Sequence, residues 1–501
     1  MSRDLTVIPN EMVRASAGSG KTYQLVNRYI SLLLCGQASD RIIALTFTRK
    51  AAGEFFEGIL TKLANAAGSQ EAAVHLSANI GMPAVSQADY TRVLRELLER
   101  MPHLALGTID GFFHRVLGMF SLEYGLSGEF EIMDEFSAER ARVRSMEQLF
   151  ASASARDQKR EALVKSFELL SAGKQDRRFY DLLENYLREC HGQYHRALKE
   201  GKWGDPATIW PTGLGWPGAK DGKSQLVQNF SNALRVQAEF DNRSQKAWRK
   251  AAEHLERWEA GKDLLAGGGT LLITAFAQLA QLDSGAWTFV YYRKEFKATA
   301  TFSKALAELL KHCLGQELDL HLTRTRGVFG MLKEYDACYD MLIRRQGLLT
   351  FADLPILLAP EEGRPVLGGH GPDRLSLEYR LDGAFDHWLI DEFQDTSTAQ
   401  WRVMENLIDE VIQDPEHRRT FFCVGDVKQS IYGWRGGDPK LFNRVEERYR
   451  EAVGNELKTT PMDVSYRSAQ PVLELVNRVF GSYEVLAEFD VKAADRWTDL
   501  W

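Results

Sequence analysis

The run AGSGKT at residues 17–22 is the feature that most restricts how this chain can fold. It follows the short apolar stretch Met12–Ser16 and precedes Tyr23–Leu34, whose apolar spacing predicts a helix. Small residues let backbone N–H groups wrap a phosphate at the helix N-terminus, where the helix dipole favours an anion. A strand, such a loop and a helix in this order predict an α/β domain that binds a nucleoside phosphate.

The loop departs at one position from the usual pattern G-x-x-x-x-G-K-[ST], because Ala15 replaces the first glycine. The backbone argument still holds, since the residues after it are small. Lys21 is expected to bridge the β- and γ-phosphates of ATP, and Thr22 to bind Mg²⁺. The alternative is a glycine-rich turn with a surface lysine. The predicted nucleotide-binding residues of the loop are Ala15, Ser16, Ala17, Gly18, Ser19, Gly20, Lys21 and Thr22.

Four more segments are short, apolar and followed by small or polar residues, which is typical of buried parallel strands. They are Arg41–Thr48, Leu104–Ile109, His387–Glu392 and Thr420–Asp426. Between about 137 and 347 the apolar spacing is helical instead, as in 138–153, 177–200 and 225–258. We therefore predict an α/β fold, a P-loop domain with a parallel sheet that carries a large, mostly helical insertion.

Two later blocks carry side chains suited to nucleotide hydrolysis. Asp391 and Glu392 end an apolar strand, at the edge where ligands bind in open α/β sheets. Asp391 could hold Mg²⁺ through water, and Glu392 could orient and deprotonate the attacking water, although such pairs also occur by chance. In the block 424–436, Gln429 suits a phosphate sensor, and Tyr432 and Trp434 offer faces for stacking bases. The alternative is a hairpin with core aromatics.

The amino-acid composition excludes several kinds of protein. The chain has 501 residues and no apolar run near the roughly 20 residues that span a bilayer, so no membrane association is expected. Its five cysteines form no CxxC pair, which predicts neither a zinc site nor a disulfide framework and fits the cytoplasm. A net charge of −7 argues mildly against indiscriminate nucleic-acid binding, but it allows a local basic groove.

Taken in order, the blocks resemble the motifs of superfamily 1A helicases of the UvrD/Rep class. They are most similar to the AddA and RecB motor subunits of bacterial recombination helicase–nucleases. The resemblance extends from Ala15 to Ser468, which is nearly all of the chain. The seven blocks that carry it are 15–22, 45–52, 107–113, 348–354, 391–396, 429–436 and 464–468.

The resemblance implies an ATP-dependent DNA helicase or translocase, 3′ to 5′, of recombination and repair. It implies catalytic roles for Lys21, Glu392, Gln429 and Arg467. Gln429 would couple the γ-phosphate to DNA, Arg467 would reach that phosphate, and Tyr466 would stack on adenine. The DNA-binding residues that it implies are Thr46, Phe47, Thr48, Thr108, Phe113, Trp434 and Arg435. Of these, Phe47 and Phe113 could instead belong to the core.

The resemblance also implies domains and partners. Residues 1–125 and 346–458 would form the RecA-like domain 1A, 126–345 the helical domain 1B, and 459–501 the start of a second RecA-like domain 2A. Later motifs with an arginine finger, and any nuclease domain, are expected beyond Trp501. The expected partners are single-stranded DNA, duplex DNA and a second helicase–nuclease subunit like AddB or RecC.

Three features depart from this reading or leave it open. Only Asn10 and Glu11 lie near the place of the family's adenine-recognising glutamine, and Asp110 stands where many relatives have histidine. Tyr291–Lys297 mixes aromatic and basic residues, which indicates a solvated helix edge or a contact with duplex DNA.

The competing functions are a P-loop ATPase that acts on a non-DNA partner, and a nucleotide- and DNA-binding fragment without turnover.

Overall fold

The chain divides into two compact units. A computed structural model describes residues 8–494 apart from 83–84, 127, 153–157, 172–178, 197–202, 211–215, 218–221, 238, 266–268, 360–378, 380–384, 432, 434–436, 453–456 and 489–493. The first unit, here called the sheet unit, contains residues 1–141 and 341–501, and the second, the helical unit, contains residues 142–340. The helical unit is inserted in the sequence of the sheet unit, while the predicted domain boundaries stay a prediction.

Six parallel strands form the main sheet, in the order β10-β1-β9-β8-β2-β3. All five predicted strands are present. The strands of the chain are β1 Asn10–Ala15, β2 Ile42–Thr46, β3 Ala105–Thr108, β4 Glu131–Ile132, β5 Thr288–Tyr291, β6 Lys294–Lys297, β7 Leu348–Leu349, β8 His387–Ile390, β9 Thr420–Gly425 and β10 Leu457–Met462. The sixth strand of the sheet, β10, pairs along the whole of β1, so the predicted boundary at residue 459 falls inside a strand.

Helices connect the strands of the sheet and make up most of the helical unit. The helices are α1 Lys21–Leu34, α2 Arg49–Gly68, α3 Gln70–Asn79, α4 Gln87–Glu99, α5 Ile109–Met119, α6 Glu135–Ser152, α7 Gln158–Ser171, α8 Phe179–Arg196, α9 Pro206–Ile209, α10 Lys223–Arg235, α11 Asn242–Arg257, α12 Gly269–Ala277, α13 Leu279–Ser284, α14 Ala300–Leu342, α15 Asp353–Leu358, α16 Thr398–Ile412, α17 Lys440–Ala452, α18 Gln470–Phe480 and α19 Tyr483–Ala487. Within the described part of the chain, no helix is both long and apolar enough to cross a membrane.

The sheet is buried on both faces because successive side chains of a strand point to opposite sides. In β2, Ile43 and Leu45 join one apolar cluster, which includes residues of α5 and α16. Ile42 and Ala44 join the other, with residues of α1, α2 and α4. Covering both faces leaves the carboxyl ends of the strands as the place where polar loops can meet a ligand.

The helical unit has an aromatic core of its own, which includes Trp248, Trp287 and Phe302. The stretch Tyr291–Lys297 forms a β-hairpin, β5–β6, so its interpretation as a helix edge was wrong. Its two turn residues, Tyr292 and Arg293, have φ of 48° and 62°, the left-handed values that a tight hairpin turn requires. All five cysteines lie in described parts of the chain, and none forms a disulfide.

Candidate nucleotide-hydrolysis site

The loop between β1 and α1 has the backbone of a phosphate-binding loop. Gly18 and Gly20 have φ of 73° and 90°, values that side-chain-bearing residues rarely adopt. Gly20 is the N-cap of α1, and no side chain caps the N–H groups of the first turn. The Ser19 hydroxyl is buried and has no hydrogen-bond partner among the described residues. The loop therefore offers unsatisfied donors that fit a phosphate group.

Lys21 and Glu392 lie in direct contact across the sheet edge. The Lys21 Nζ is 2.6 Å from Glu392 Oε2, and both side chains are mostly shielded from solvent. Glu392 follows β8 and has φ of 49°, a left-handed backbone that costs on the order of 1–3 kcal/mol for a residue with a side chain. The fold thus holds the predicted general base in a strained position beside the predicted phosphate-binding lysine.

Two more carboxyl groups flank Glu392. Burial, and then the negative charge of Glu392, raise the pKa of Asp391 and the pKa of Asp395 to about 6 each. The Glu392 N–H donates to Asp391 Oδ1 at 2.9 Å, and Asp395 Oδ1 is buried without a partner among the described residues. Crowded acids of this kind are stabilised by a cation. With the hydroxyl of Thr22, they offer the oxygen ligands that Mg²⁺ prefers.

Gln394 joins this acidic group to the next strand. Its Nε2 donates to Glu392 Oε2 at 2.6 Å, and its Oε1 accepts from the backbone N–H of Asp426 at 2.8 Å. A Cβ on Gly425 would lie 2.8 Å from Gln394 Oε1, so only glycine fits there without displacement. This role of Gln394 was not predicted from the sequence. The glycine that ends β9 was the available signal of a close approach.

The turn after β9 reaches back to the phosphate loop. Gln429 Nε2 donates to Asp426 Oδ2 at 2.8 Å, and Lys428 Nζ donates to Ser16 Oγ at 3.2 Å. Burial raises the pKa of Asp426, while Lys428 and Lys21 oppose that shift. Gln429 is therefore held beside the site, and the contact of Lys428 with the phosphate loop was not predicted from the sequence.

Tyr466 and Arg467 lie beside the loop. The Tyr466 N–H donates to the Gly18 carbonyl at 2.9 Å, and a Cβ on Gly18 would lie 2.5 Å from the Cβ of Arg467. The Tyr466 side chain is 81% exposed. The following helices α18 and α19 bury none of their residues. The segment is therefore fixed to the sheet unit through β10 and the loop contacts.

The predicted DNA-binding residues after β2 and β3 occupy different environments. Thr48 and Thr108 are the N-caps of α2 and α5, and their hydroxyls accept from backbone N–H groups. Thr46 is fully buried and its hydroxyl donates to the Thr48 carbonyl at 2.9 Å. Phe113 is fully buried in the core, whereas Phe47 is half-buried. The side chains of Thr46 and Phe113 are thus inaccessible to DNA in this structure, which corrects their prediction as contacts.

The remaining predicted residues have structural partners or lie outside the described residues. Trp434 and Arg435 belong to the latter group. Asn10 Oδ1 accepts from the Phe421 N–H at 2.7 Å, and Glu11 accepts from Thr460 Oγ1 at 2.6 Å. Both residues near the place of the adenine-recognising glutamine therefore tie the strands of the sheet together. Asp110 accepts from Gln400 Nε2 at 2.9 Å.

Comparison with known families shows which protein family the chain belongs to. A family model described as the UvrD/REP helicase N-terminal domain matches residues 7–450. This match covers most of the chain, so the chain belongs to that family. The six-stranded parallel sheet with a helical insertion agrees with the predicted fold class, a RecA-like domain.

Similar curated proteins are described as subunits of an ATP-dependent helicase/nuclease. One from Streptococcus equi subsp. zooepidemicus is 26% identical over 510 residues, covering 94% of this chain and 37% of the relative. One from Levilactobacillus brevis is 26% identical over 511 residues, with the same coverage. One from Lactobacillus helveticus is 24% identical over 517 residues and is covered to 39%. The chain thus spans well under half the length of these relatives.

Proposed function

We propose that this chain is the nucleotide-binding part of an ATP-dependent DNA helicase or translocase of recombination and repair. The observation that carries the proposal is the 2.6 Å contact between Lys21 and Glu392. It joins a phosphate-binding loop to a carboxylate that can act on water, and nucleotide hydrolysis needs both groups at one place. Membership of the UvrD/REP family supports the assignment.

Each residue of the site is assigned a role in ATP binding and hydrolysis. The α1 N-terminus and Lys21 bind the phosphates and hold the terminal phosphoryl group in place. Glu392 orients the attacking water and accepts its proton. Thr22 and Asp391 would hold Mg²⁺, which neutralises phosphate charge when it is bound. We assign Tyr466 to contact with the base and Arg467 to contact with the phosphate, and the position of both residues beside Gly18 supports this.

We assign the coupling of the nucleotide to DNA to Gln394 and Gln429. Gln394 contacts both Glu392 and the backbone at Asp426, and Gln429 contacts the Asp426 carboxylate. A change at the phosphates can therefore move the loop after β9. Further along the sequence are Trp434 and Arg435, which we assign to base stacking and its support.

Single-stranded DNA is expected along the ends of β2 and β3. Thr48 and Thr108 begin two helices there, so N–H groups and the helix dipoles favour a phosphate. Their hydroxyls accept from the helix backbone, which leaves each hydroxyl proton available to a phosphate oxygen. Phe47, half-buried beside them, is the remaining candidate base contact.

The other assignments follow the sequence resemblance to the AddA and RecB motor subunits. We propose 3′ to 5′ movement, cytoplasmic location and a second helicase–nuclease subunit like AddB or RecC. We further propose that 1–125 and 346–458 form domain 1A, 126–345 domain 1B, and 459–501 the start of domain 2A. Duplex DNA is assigned to the β5–β6 hairpin, where Tyr292, Arg293 and Lys297 are exposed.

Mg·ATP titration of Lys21→Ala tests the proposal. Loss of the ammonium removes a charge-assisted contact with phosphate, typically worth about 1.5–3 kcal/mol, so calorimetry should show at least about tenfold weaker binding. Lys50→Ala is the matched control, because this lysine is exposed on α2 and pairs with Glu54 on the same helix. Unchanged ATP affinity in a folded Lys21→Ala variant would refute the site.

Binding of single-stranded DNA separates the proposal from a P-loop ATPase that acts on a non-DNA partner. Phosphate contacts release counterions, so the affinity should fall as salt concentration rises. Thr48→Ala and Thr108→Ala together should weaken binding with ATP affinity unchanged. DNA binding that responds to neither salt nor these substitutions favours the non-DNA alternative.

A further inference from the structure

Three side chains from two helices of the helical unit bring potential metal ligands together. His191 and His195 lie one turn apart on α8, and their Nε2 atoms are 3.3 Å apart. Asp336 of α14 places Oδ1 at 2.8 Å from the first of these nitrogens and 3.0 Å from the second. The side chains are 22%, 10% and 17% exposed, respectively. They form the only cluster of this type among the described residues.

The spacing matches a small metal ion. Ligand bonds of 2.0–2.1 Å in a tetrahedral zinc site separate neighbouring ligand atoms by about 3.3 Å. The three separations here are 3.3, 3.0 and 2.8 Å, so they equal that value or are shorter than it. Small rotations of the side chains would therefore bring two nitrogens and one oxygen around a single ion.

The neighbourhood holds both imidazole rings in place. The His191 ring contacts the rings of Tyr335 and Tyr339 edge-on, with centroids 5.4 and 6.1 Å away. The His195 ring contacts Tyr194 in the same way at 5.2 Å. Rings packed in this manner lose little further freedom when they bind, which favours a preformed site.

We propose that His191, His195 and Asp336 form a binding site for one divalent transition-metal ion, with Zn²⁺ the best match. Imidazole suits zinc and its neighbours, whereas Mg²⁺ and Ca²⁺ prefer oxygen ligands throughout. Three protein ligands leave a fourth position for water, which the partial exposure of the cluster permits. The ion joins α8 to α14 across at least 141 residues of sequence, so it stabilises the helical unit.

Zinc titration of the full chain, freed of metal with a chelator and without nucleotide, tests the site. We expect one Zn²⁺ per chain by calorimetry, and a tetrahedral absorption spectrum when Co²⁺ replaces it. His195→Ala should weaken zinc binding by at least about 100-fold, since even changes outside the ligand set cost 10–100-fold. His321→Ala is the matched control, because this histidine also lies on a long helix, 3.1 Å from Glu317, and is exposed.

Three outcomes decide the proposal. Zinc affinity that falls in His195→Ala and in Asp336→Asn, but not in His321→Ala, supports it. Binding that is equal in all three variants shows an adventitious site elsewhere and overturns it, as does the absence of binding at micromolar zinc. Asp336→Asn keeps the shape of the side chain, so it gives an answer even if His195→Ala fails to fold by circular dichroism.

Discussion

The sheet unit and the helical unit both bury aromatic rings, but among the described residues only the sheet unit also buries carboxyl groups. At the carboxyl ends of its strands, the sheet unit holds Asp391 and Asp395 in surroundings that raise the pKa of each to about 6. The core of the helical unit is aromatic, and Trp287 stacks on Phe289 with centroids 4.4 Å apart. Burying acids costs stability and burying rings provides it. The acidic group of the sheet unit therefore lowers the stability of that unit, whereas the aromatic core of the helical unit raises the stability of its own unit.

Removal of the general base gives the largest expected effect on the sheet unit. Glu392→Gln keeps the size of the side chain but cannot accept a proton, so hydrolysis should fall by about 10²–10⁴-fold. Mg·ATP binding should persist, because Lys21 and the loop are unchanged. Single-turnover hydrolysis with protein in excess over ATP measures the effect. A parental rate in the variant would remove Glu392 from the mechanism, and Glu54→Gln on α2 is the surface control.

Truncation of the aromatic core is the corresponding test of the helical unit. Phe302→Ala removes a fully buried ring that packs against Phe230, Phe240 and Trp248, and should cost about 3–5 kcal/mol of stability. Hydrogen exchange should show lost protection in α10, α11 and α14, while ATP binding stays unchanged. Val290→Ala, at an exposed position of β5, should have little effect. Loss of ATP binding in Phe302→Ala would show that the two units are not independent.

Features of the sheet unit that depend only on residues close together in the sequence could be predicted. Strands such as His387–Ile390 were recognisable as apolar runs, and the phosphate loop as a motif. β10 was missed because LKTTPM is half polar and contains Pro461, which edge strands tolerate. The hairpin at Tyr292 was missed because two left-handed residues without glycine give no turn signal.

Contacts between distant residues were harder to predict. Gln394 and Asp426 meet across neighbouring strands, and nothing in either local sequence indicates the bond. His191 and Asp336 are separated by 145 positions, so only the packing of α8 on α14 reveals the cluster. The expectation that the chain has no zinc site was drawn from the cysteines alone. A pair of histidines four residues apart on a predicted helix was the signal available.

Crowding of the sheet edge by one methyl group tests how closely the acidic site is packed. Gly425→Ala places a Cβ 2.8 Å from Gln394 Oε1, so the glutamine must move away from Glu392 and Asp426. We expect a loss of about 1–3 kcal/mol in stability and slower hydrolysis. Gly107→Ala, at the end of β3 with open space around it, is the control. Equal denaturant midpoints for the two variants would show that Gln394 adapts freely.

The smallest effect concerns pH, because two buried groups of the sheet unit act in opposite directions. Burial, with Arg28 and Arg41 nearby, lowers the pKa of His387 to about 3, so the folded state resists its protonation. Stability from this group is present above the ordinary histidine pKa near 6.5 and is lost as pH falls. The pKa of Asp391 is raised to about 6, so as pH falls this carboxyl group binds its proton at a higher pH in the folded state than in the unfolded state. Its contribution to stability grows as pH falls from 6 to about 4.

Each group therefore changes the free energy of unfolding by at most about 1.4 kcal/mol per pH unit. Between pH 6 and 4 the changes due to His387 and Asp391 have opposite signs. Asp391→Asn removes one of two compensating carboxyl groups, because the pKa of Asp395 is also raised to about 6, and so gives the His387 slope more weight. Denaturant unfolding at pH 6, 5 and 4 should show the variant losing stability relative to the parent at each step. His387→Gln should show the reverse trend, since Asp391 and Asp395 then act unopposed by this histidine. Parallel profiles for the parent and Asp391→Asn would mean that Asp391 is ionised in the folded protein, and that the acidic edge is less crowded than its burial indicates.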